Sequence, residues 1–260
     1  MIKKLTAKQT ATFDAEYVNA TRWRIVRDFI DHDFPKGNFC FLDIGGGNGI
    51  FTDRVLREYP GCEGTILDNS LYLLERNKKH ERKRIIYESI ENLGTSVTSK
   101  FDIIFINWVL HHLVADTYRE SINHIWRTLR SCSERLTSQG KISIFENLYD
   151  GYVIDCLPGL LVYTLTSTKA LVPFTSKLGA NTAGVGVCFL SFKRWVKIIR
   201  KAGYHIERFN IGKQWKLPIH HKLALHLRQI RIGHFWCASE PALSKQPSNK
   251  KVHLFKTRLV

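Results

Sequence analysis

The sequence predicts an α/β domain in which a mostly parallel sheet is covered by helices on both faces. Between residues 39 and 146, short apolar runs alternate with amphipathic helical stretches at the spacing of βαβ units, whose right-handed crossovers fill both sides of a sheet. The first of these runs passes straight into a glycine-rich turn and a helix. Composition agrees, since 260 residues with 44% hydrophobic and 24% charged side chains exclude wholesale disorder, a collagen-like repeat and a long coiled coil, and suffice for one large domain.

Residues 7–32 place Phe13, Tyr17, Trp23, Ile25, Val26, Phe29 and Ile30 on the apolar face of one or two helices, and Pro35-Lys36-Gly37-Asn38 ends them. Strands are expected at 39–44, 64–67, 84–87, 101–106 and 141–145, with helices at 50–59, 71–79 and 117–136 between them. From 147 to 186 Gly, Pro and Thr mix with aromatic and aliphatic residues and no period appears. Helical spacing returns at 191–202 with Phe192, Trp195, Ile198 and Ile199, Gly203 stops the helix, and a strand follows at 204–210. A final strand is expected at 234–239, preceded by a short helix at 224–232. With no long crossover before it, this strand is free to pair antiparallel. Residues 1–240 thus read as a single domain with an N-terminal helical cap at 1–37 and an insertion at 147–185. From Pro241 the polar, Lys-rich composition reads as a basic mobile tail.

Charge is distributed unevenly. Residues 1–150 hold 21 Lys and Arg against 20 Asp and Glu, whereas residues 151–260 hold 18 against only Asp155, Glu207 and Glu240. A basic half of this kind suits an anionic partner, such as nucleic acid, an acidic membrane surface or an anionic substrate. Lys213, Lys216, Lys222, Arg228 and Arg231, interleaved with Trp215, His220, His221 and His226, supply a nucleic-acid alternative. The six cysteines are widely spaced with no zinc-type pairing, so no metal site is expected and a reducing cytoplasm is the default compartment, with peripheral contact to an anionic membrane as a further option. Neither 153–163 nor 185–190 reaches the ~20 apolar residues needed to span a bilayer.

The chemistry concentrates at Asp43-Ile44-Gly45-Gly46-Gly47-Asn48-Gly49. Glycines between a strand and a helix let backbone approach a ligand and aim free helix N–H groups at it. A dinucleotide fingerprint needs a small residue where Ile50 stands, and no Gly-Lys-Ser/Thr follows to make a phosphate loop. Further along, Asp68 closes the second strand, Tyr87-Glu88-Ser89-Ile90-Glu91-Asn92-Leu93 follows the third, and Phe101-Asp102-Ile103-Ile104-Phe105-Ile106-Asn107-Trp108-Val109-Leu110-His111-His112-Leu113 spans the fourth.

In this order the four motifs resemble those of the class I S-adenosylmethionine-dependent methyltransferases, in the branch acting on small molecules, over roughly residues 38–146 and 186–240. The resemblance implies a Rossmann-like seven-stranded, mostly parallel sheet with the last strand antiparallel, and S-adenosyl-L-methionine as cofactor. It assigns Asp43, Gly45, Gly47 and Gly49 to the methionine portion, Asp68 with neighbouring Asn69 to the ribose, Ser89 and Ile90 to adenine, and Asn107 to the amino-acid end. The implied reaction is an in-line displacement in which alignment is the main protein contribution. Where the acceptor must lose a proton, His111, His112 and Glu146 are the candidate bases.

The insertion, with Tyr149, Tyr152, Leu157, Leu160, Leu161, Val162, Tyr163, Leu171, Val172 and Phe174, suits a small hydrophobic acceptor. An RNA-directed methyltransferase and a non-catalytic protein that keeps the cofactor fold are the alternatives. The sequence leaves the acceptor's identity, the methylated atom and the oligomeric state open.

Overall fold

Every second residue of the central strands points to one face of the sheet, and both faces are apolar. In the strand 101–107, Ile104 and Ile106 enter one core cluster and Ile103 and Phe105 the other; in the strand 40–44, Leu42 and Ile44 face the first and Phe41 the second. A sheet buried on both sides requires helices on both sides.

The computed structural model describes residues 2–240, so the expected tail at 241–260 lies outside the described residues. In chain order the elements are α1 (Ala7–Ala11), α2 (Ala20–Asp33), β1 (Cys40–Ile44), α3 (Ile50–Glu58), β2 (Glu63–Asp68), α4 (Leu71–Leu74), β3 (Lys83–Tyr87), α5 (Leu93–Ser96), β4 (Phe101–Asn107), α6 (Tyr118–Ser133), β5 (Leu136–Gly151), α7 (Leu157–Ser167), α8 (Val172–Lys177), α9 (Phe192–Lys201), β6 (Tyr204–Ile211), α10 (Ile219–Ala224) and β7 (Leu227–Ser239). The seven strands form one sheet in the order β3-β2-β1-β4-β5-β7-β6. The pairs β1–β2, β1–β4, β2–β3 and β4–β5 are parallel, and β7 runs antiparallel to both β5 and β6. This is the Rossmann-like sheet with an antiparallel last strand that the sequence predicts.

Local chemistry fixes the helix starts. Thr117 and Glu120 form a capping box at α6, Asn19 caps α2 and Ser191 caps α9. α2 and α3 cover one face through Trp23, Val26, Ile30, Val55 and Leu56, while α6 and α9 cover the other through Ile125, Leu129, Trp195 and Ile199.

Three expectations are corrected. The helix expected at 71–79 stops at Leu74, because the Asn77 side chain donates to the carbonyls of Leu74 (3.1 Å) and Gly47 (2.6 Å), capping the helix and tying it to the glycine turn. The strand expected at 141–145 runs from Leu136 to Gly151, taking up the end of the expected helix 117–136 and the first residues of the irregular stretch. The helix expected at 224–232 is instead α10 ending at Ala224, then β7 from Leu227, because β7 pairs with the extension of β5 from Gly151↔Leu227 onward. A long antiparallel ladder here satisfies backbone groups that a short helix would leave open.

Candidate active site

β1 and β4 are neighbours whose connections leave in opposite directions, which opens a crevice at their carboxyl ends. A cavity of about 680 Å³ lies there. Its floor is the turn after β1. Gly45, Gly47 and Gly49 have φ of 70°, 48° and 75°, a region that costs side-chain-bearing residues ~1–2 kcal/mol. At Gly45 a Cβ would also overlap the Val109 side chain, so the turn packs against the segment after β4 only with glycine there.

Two carboxylates end the adjacent strands. Asp43 is 1% exposed and accepts from Thr52 Oγ1 at 2.7 Å; burial, together with the charge of Asp68, pushes its pKa up to about 7. Asp68 accepts the backbone N–H of Gly47 at 3.0 Å on Oδ2 and that of Ser70 at 2.7 Å on Oδ1; burial raises its pKa despite those bonds. Beyond β3 and β4, Ser89, Ile90 and Asn107 line the cavity, and the Asn107 amide has neither its Nδ2 nor its Oδ1 partnered.

The opposite wall is aromatic. Trp108 holds φ of 58°, donates from Nε1 to Asn147 Oδ1 at 3.1 Å and stacks on Phe145 at 5.0 Å. Tyr17 lies 6.0 Å from the Trp108 ring, Phe13 lies 4.9 Å from the His112 ring, and Phe189 stacks on Tyr149 at 4.2 Å. Phe13, Tyr17, Trp108 and Phe189 all line the cavity.

His111 reaches into this wall with its chemistry set from behind. Glu146, fully buried, takes the N–H of Leu110 (2.9 Å) and of His111 (3.3 Å) on one oxygen and meets His111 Nδ1 at 2.7 Å with the other. His112 Nδ1 has no partner, and desolvation beside His111 holds its pKa well below the ordinary histidine value.

Residues 42–142 match a family described as a methyltransferase domain. The matched stretch runs from β1 into β5 and takes in the glycine turn and Asp68. Over 119 residues it is 26% identical to a caffeic acid 3-O-methyltransferase of Capsicum chinense, covering 45% of this chain and 29% of that one. Over 146 residues it is 28% identical to the N-terminal Xaa-Pro-Lys N-methyltransferase 1 of Homo sapiens, covering 53% and 61%. The chain thus spans less than two thirds of the length of these curated relatives. Among solved structures it shares its fold with the plantazolicin methyltransferase BpumL, at TM-score 0.57 and 14% identity over 90% of each chain. The N-methyltransferase NodS of Bradyrhizobium japonicum WM9 gives TM-score 0.52 and 14% identity over 88% of this chain and 97% of that one.

The structure gathers Asp43, Gly45, Gly47, Asp68, Asn69, Ser89, Ile90, Asn107, His111 and His112 around one cavity. Gly49 and Glu146 stand outside its lining: Gly49 turns the chain into α3 as its N-cap, and Glu146 sits behind His111. The sequence reading missed Trp108, Asn147 and Phe189. Trp108 lies inside the fourth-strand motif, directly after Asn107, which is a usable signal, whereas nothing marks Phe189 until the chain's return past residue 185 brings it against Tyr149.

Proposed function

We propose that the chain binds S-adenosylmethionine in this cavity and transfers its methyl group to a small hydrophobic acceptor. The observation that carries the reading is a polar end with open hydrogen-bonding capacity facing an aromatic end within one cavity. The residues fit the cofactor. Each Asp68 oxygen holds only one backbone N–H, so a lone pair remains on both for a ribose diol. The Asn107 amide offers an unpartnered donor and an unpartnered acceptor, which suits a zwitterionic amino-acid end. Ser89 and the apolar Ile90 suit the polar edge and the face of adenine.

Bound there, the cofactor supplies a sulfonium-activated methyl group. What the chain adds is alignment of the acceptor against the aromatic wall, for which Phe13 and Tyr17 come from the N-terminal cap and Asn147 and Asn181 from the region of the insertion. Of the three candidate bases, His111 is the one placed to act. With Nδ1–H donating to Glu146, the lone pair of His111 is on Nε2, which receives an acceptor hydroxyl proton. Glu146 positions His111, and His112 contributes packing with Phe13.

The test incubates the full chain with methyl-labelled S-adenosylmethionine and a panel of aromatic and aliphatic hydroxyl compounds. Labelled small-molecule product is expected. Tighter binding of NAD than of S-adenosylmethionine refutes the cofactor, and donor binding without any methylated product from this panel refutes the acceptor class.

A further inference from the structure

Two loops at the carboxyl edge of the sheet carry the most exposed large apolar side chains of the described residues. Val153 is 87% exposed in the loop after β5, and Ile219 and Leu223 are 74% and 70% exposed on α10. Ile219 and Leu223 are four residues apart and share one side of the helix. Tyr152 and Ile154 flank Val153, and Trp215, also partly bare, precedes α10.

The loops form one surface. His226, with φ of 54°, accepts on Nε2 the N–H groups of Val153 (2.9 Å) and Ile154 (3.1 Å), and its carbonyl accepts from Tyr152 N at 3.2 Å. The patch is therefore held open by hydrogen bonds and β pairing rather than left loose.

Its rim is basic. From Arg208 to Ser239 the chain has six Lys and Arg residues and no acid; Lys213, Lys216 and Arg228 are exposed and stand close in the chain to Trp215, Ile219 and Leu223. The acids closest in sequence on the other loop are turned inward: Asp150 is buried against Arg231 and Gln229, and Asp155 accepts from the Ser191 hydroxyl. Bare aliphatics accompanied by exposed cations suit the boundary between lipid headgroups and acyl chains. Tyr152 and Trp215 offer rings for stacking on bases, but the three barest side chains, Val153, Ile219 and Leu223, are aliphatic and favour lipid over nucleic acid.

We infer that the 152–154 and 213–228 loops together form a docking surface for an anionic lipid bilayer, into which Val153, Ile219 and Leu223 insert. β5 continues six residues past Phe145, which pairs with Asn107, so the patch projects ~20 Å beyond the level of Asn107 on the side where the cavity opens. Docking there turns the mouth of the site toward the membrane, and a hydrophobic acceptor reaches it without crossing water.

The test is flotation of the full chain with phosphatidylcholine vesicles, with and without phosphatidylserine, at low and high salt. Each large aliphatic that leaves water fully is worth about tenfold in partitioning. The triple variant Val153→Ser, Ile219→Ser, Leu223→Ser is therefore expected to bind anionic vesicles at least ~100-fold more weakly, with calorimetric S-adenosylhomocysteine binding unchanged as proof of folding. Lys213→Gln, Lys216→Gln, Arg228→Gln is expected to lose binding mainly at low salt, where attraction is least screened.

Three results overturn the inference. One is equal binding by the apolar variant. Another is a wild-type chain that ignores both vesicles yet binds polyuridylic acid with steep salt dependence. The third is a dimer in sedimentation that the apolar substitutions dissociate, which makes the patch a contact between copies. None of these readouts depends on methyl transfer, so failure here is separable from failure of the proposed activity.

Discussion

Replacing Asp68 by Ala removes the group on which the proposed cofactor geometry turns. Its two oxygens each accept one backbone N–H, from Gly47 at 3.0 Å and Ser70 at 2.7 Å, and each keeps one lone pair for the ribose diol. A hydrogen bond to a charged group is worth ~1.5–3 kcal/mol, so loss of two gives ~3–6 kcal/mol, or a weakening of affinity by at least ~100-fold. The substitution also strands two turn N–H groups, so part of any loss reflects a loosened glycine turn.

A double cycle separates the two contributions. S-adenosylhomocysteine and its 2′,3′-dideoxy analogue are titrated calorimetrically into the wild type and Asp68→Ala. The wild type should lose at least ~100-fold on removal of the hydroxyls, by the same two bonds, and the variant should scarcely distinguish the two ligands. If the variant retains the wild-type preference for the hydroxylated ligand, Asp68 does not hold the diol and the assignment of the site is wrong.

Asp43 carries a pH signature. Because burial raises its folded pKa from 3.8 to about 7, the folded state holds the proton more tightly than the unfolded chain, and stability falls as pH rises from about 4 to about 7, by at most on the order of 4 kcal/mol. Thermal melts of Asp43→Asn across that window should be flatter than those of the wild type, with the remaining slope of the same sign owed to Asp68; an unchanged slope refutes the assignment. His111→Ala should lower kcat by ~10²–10⁴-fold for a hydroxyl acceptor, while Glu146→Gln should lower kcat and displace the acidic limb of the pH–rate profile with acceptor KM little changed; full activity in both means that alignment alone carries the reaction. Gly45→Ala should lower the melting midpoint by several degrees, since φ of 70° costs ~1–2 kcal/mol and the new Cβ presses on Val109; a midpoint equal to the wild type's refutes the packing argument.

The proposed cofactor end of the cavity was legible because it is built from local sequence. Asp43, the glycine turn, Asp68, Ser89, Ile90 and Asn107 each lie at or just beyond the carboxyl end of a parallel strand, so strand order alone brings them to one crevice. Local pattern likewise marked β1, β2 and β4, as short apolar runs buried on both faces, and α9, at helical spacing. It failed where a distant partner set the limits. α4 ends early because Asn77 bonds to Gly47, thirty residues before it, and β5 and β7 are long because each supplies the other's ladder.

The sequence by itself determined the α/β class, the order of the motifs and the residues proposed to hold the cofactor, since each rests on contacts or turns within a few residues of chain. Only the tertiary structure sorts the three candidate bases by position: His111 and His112 line the cavity, and Glu146 lies behind His111. Glu146 and His111 are 35 residues apart and meet because β4 and β5 are neighbours in the sheet. The aromatic wall and the paired loops at Val153 and Ile219 arise in the same way: Tyr149 with Phe189, and Val153 with His226, are brought together by packing across strands, and no local pattern records a contact whose partner lies tens of residues away.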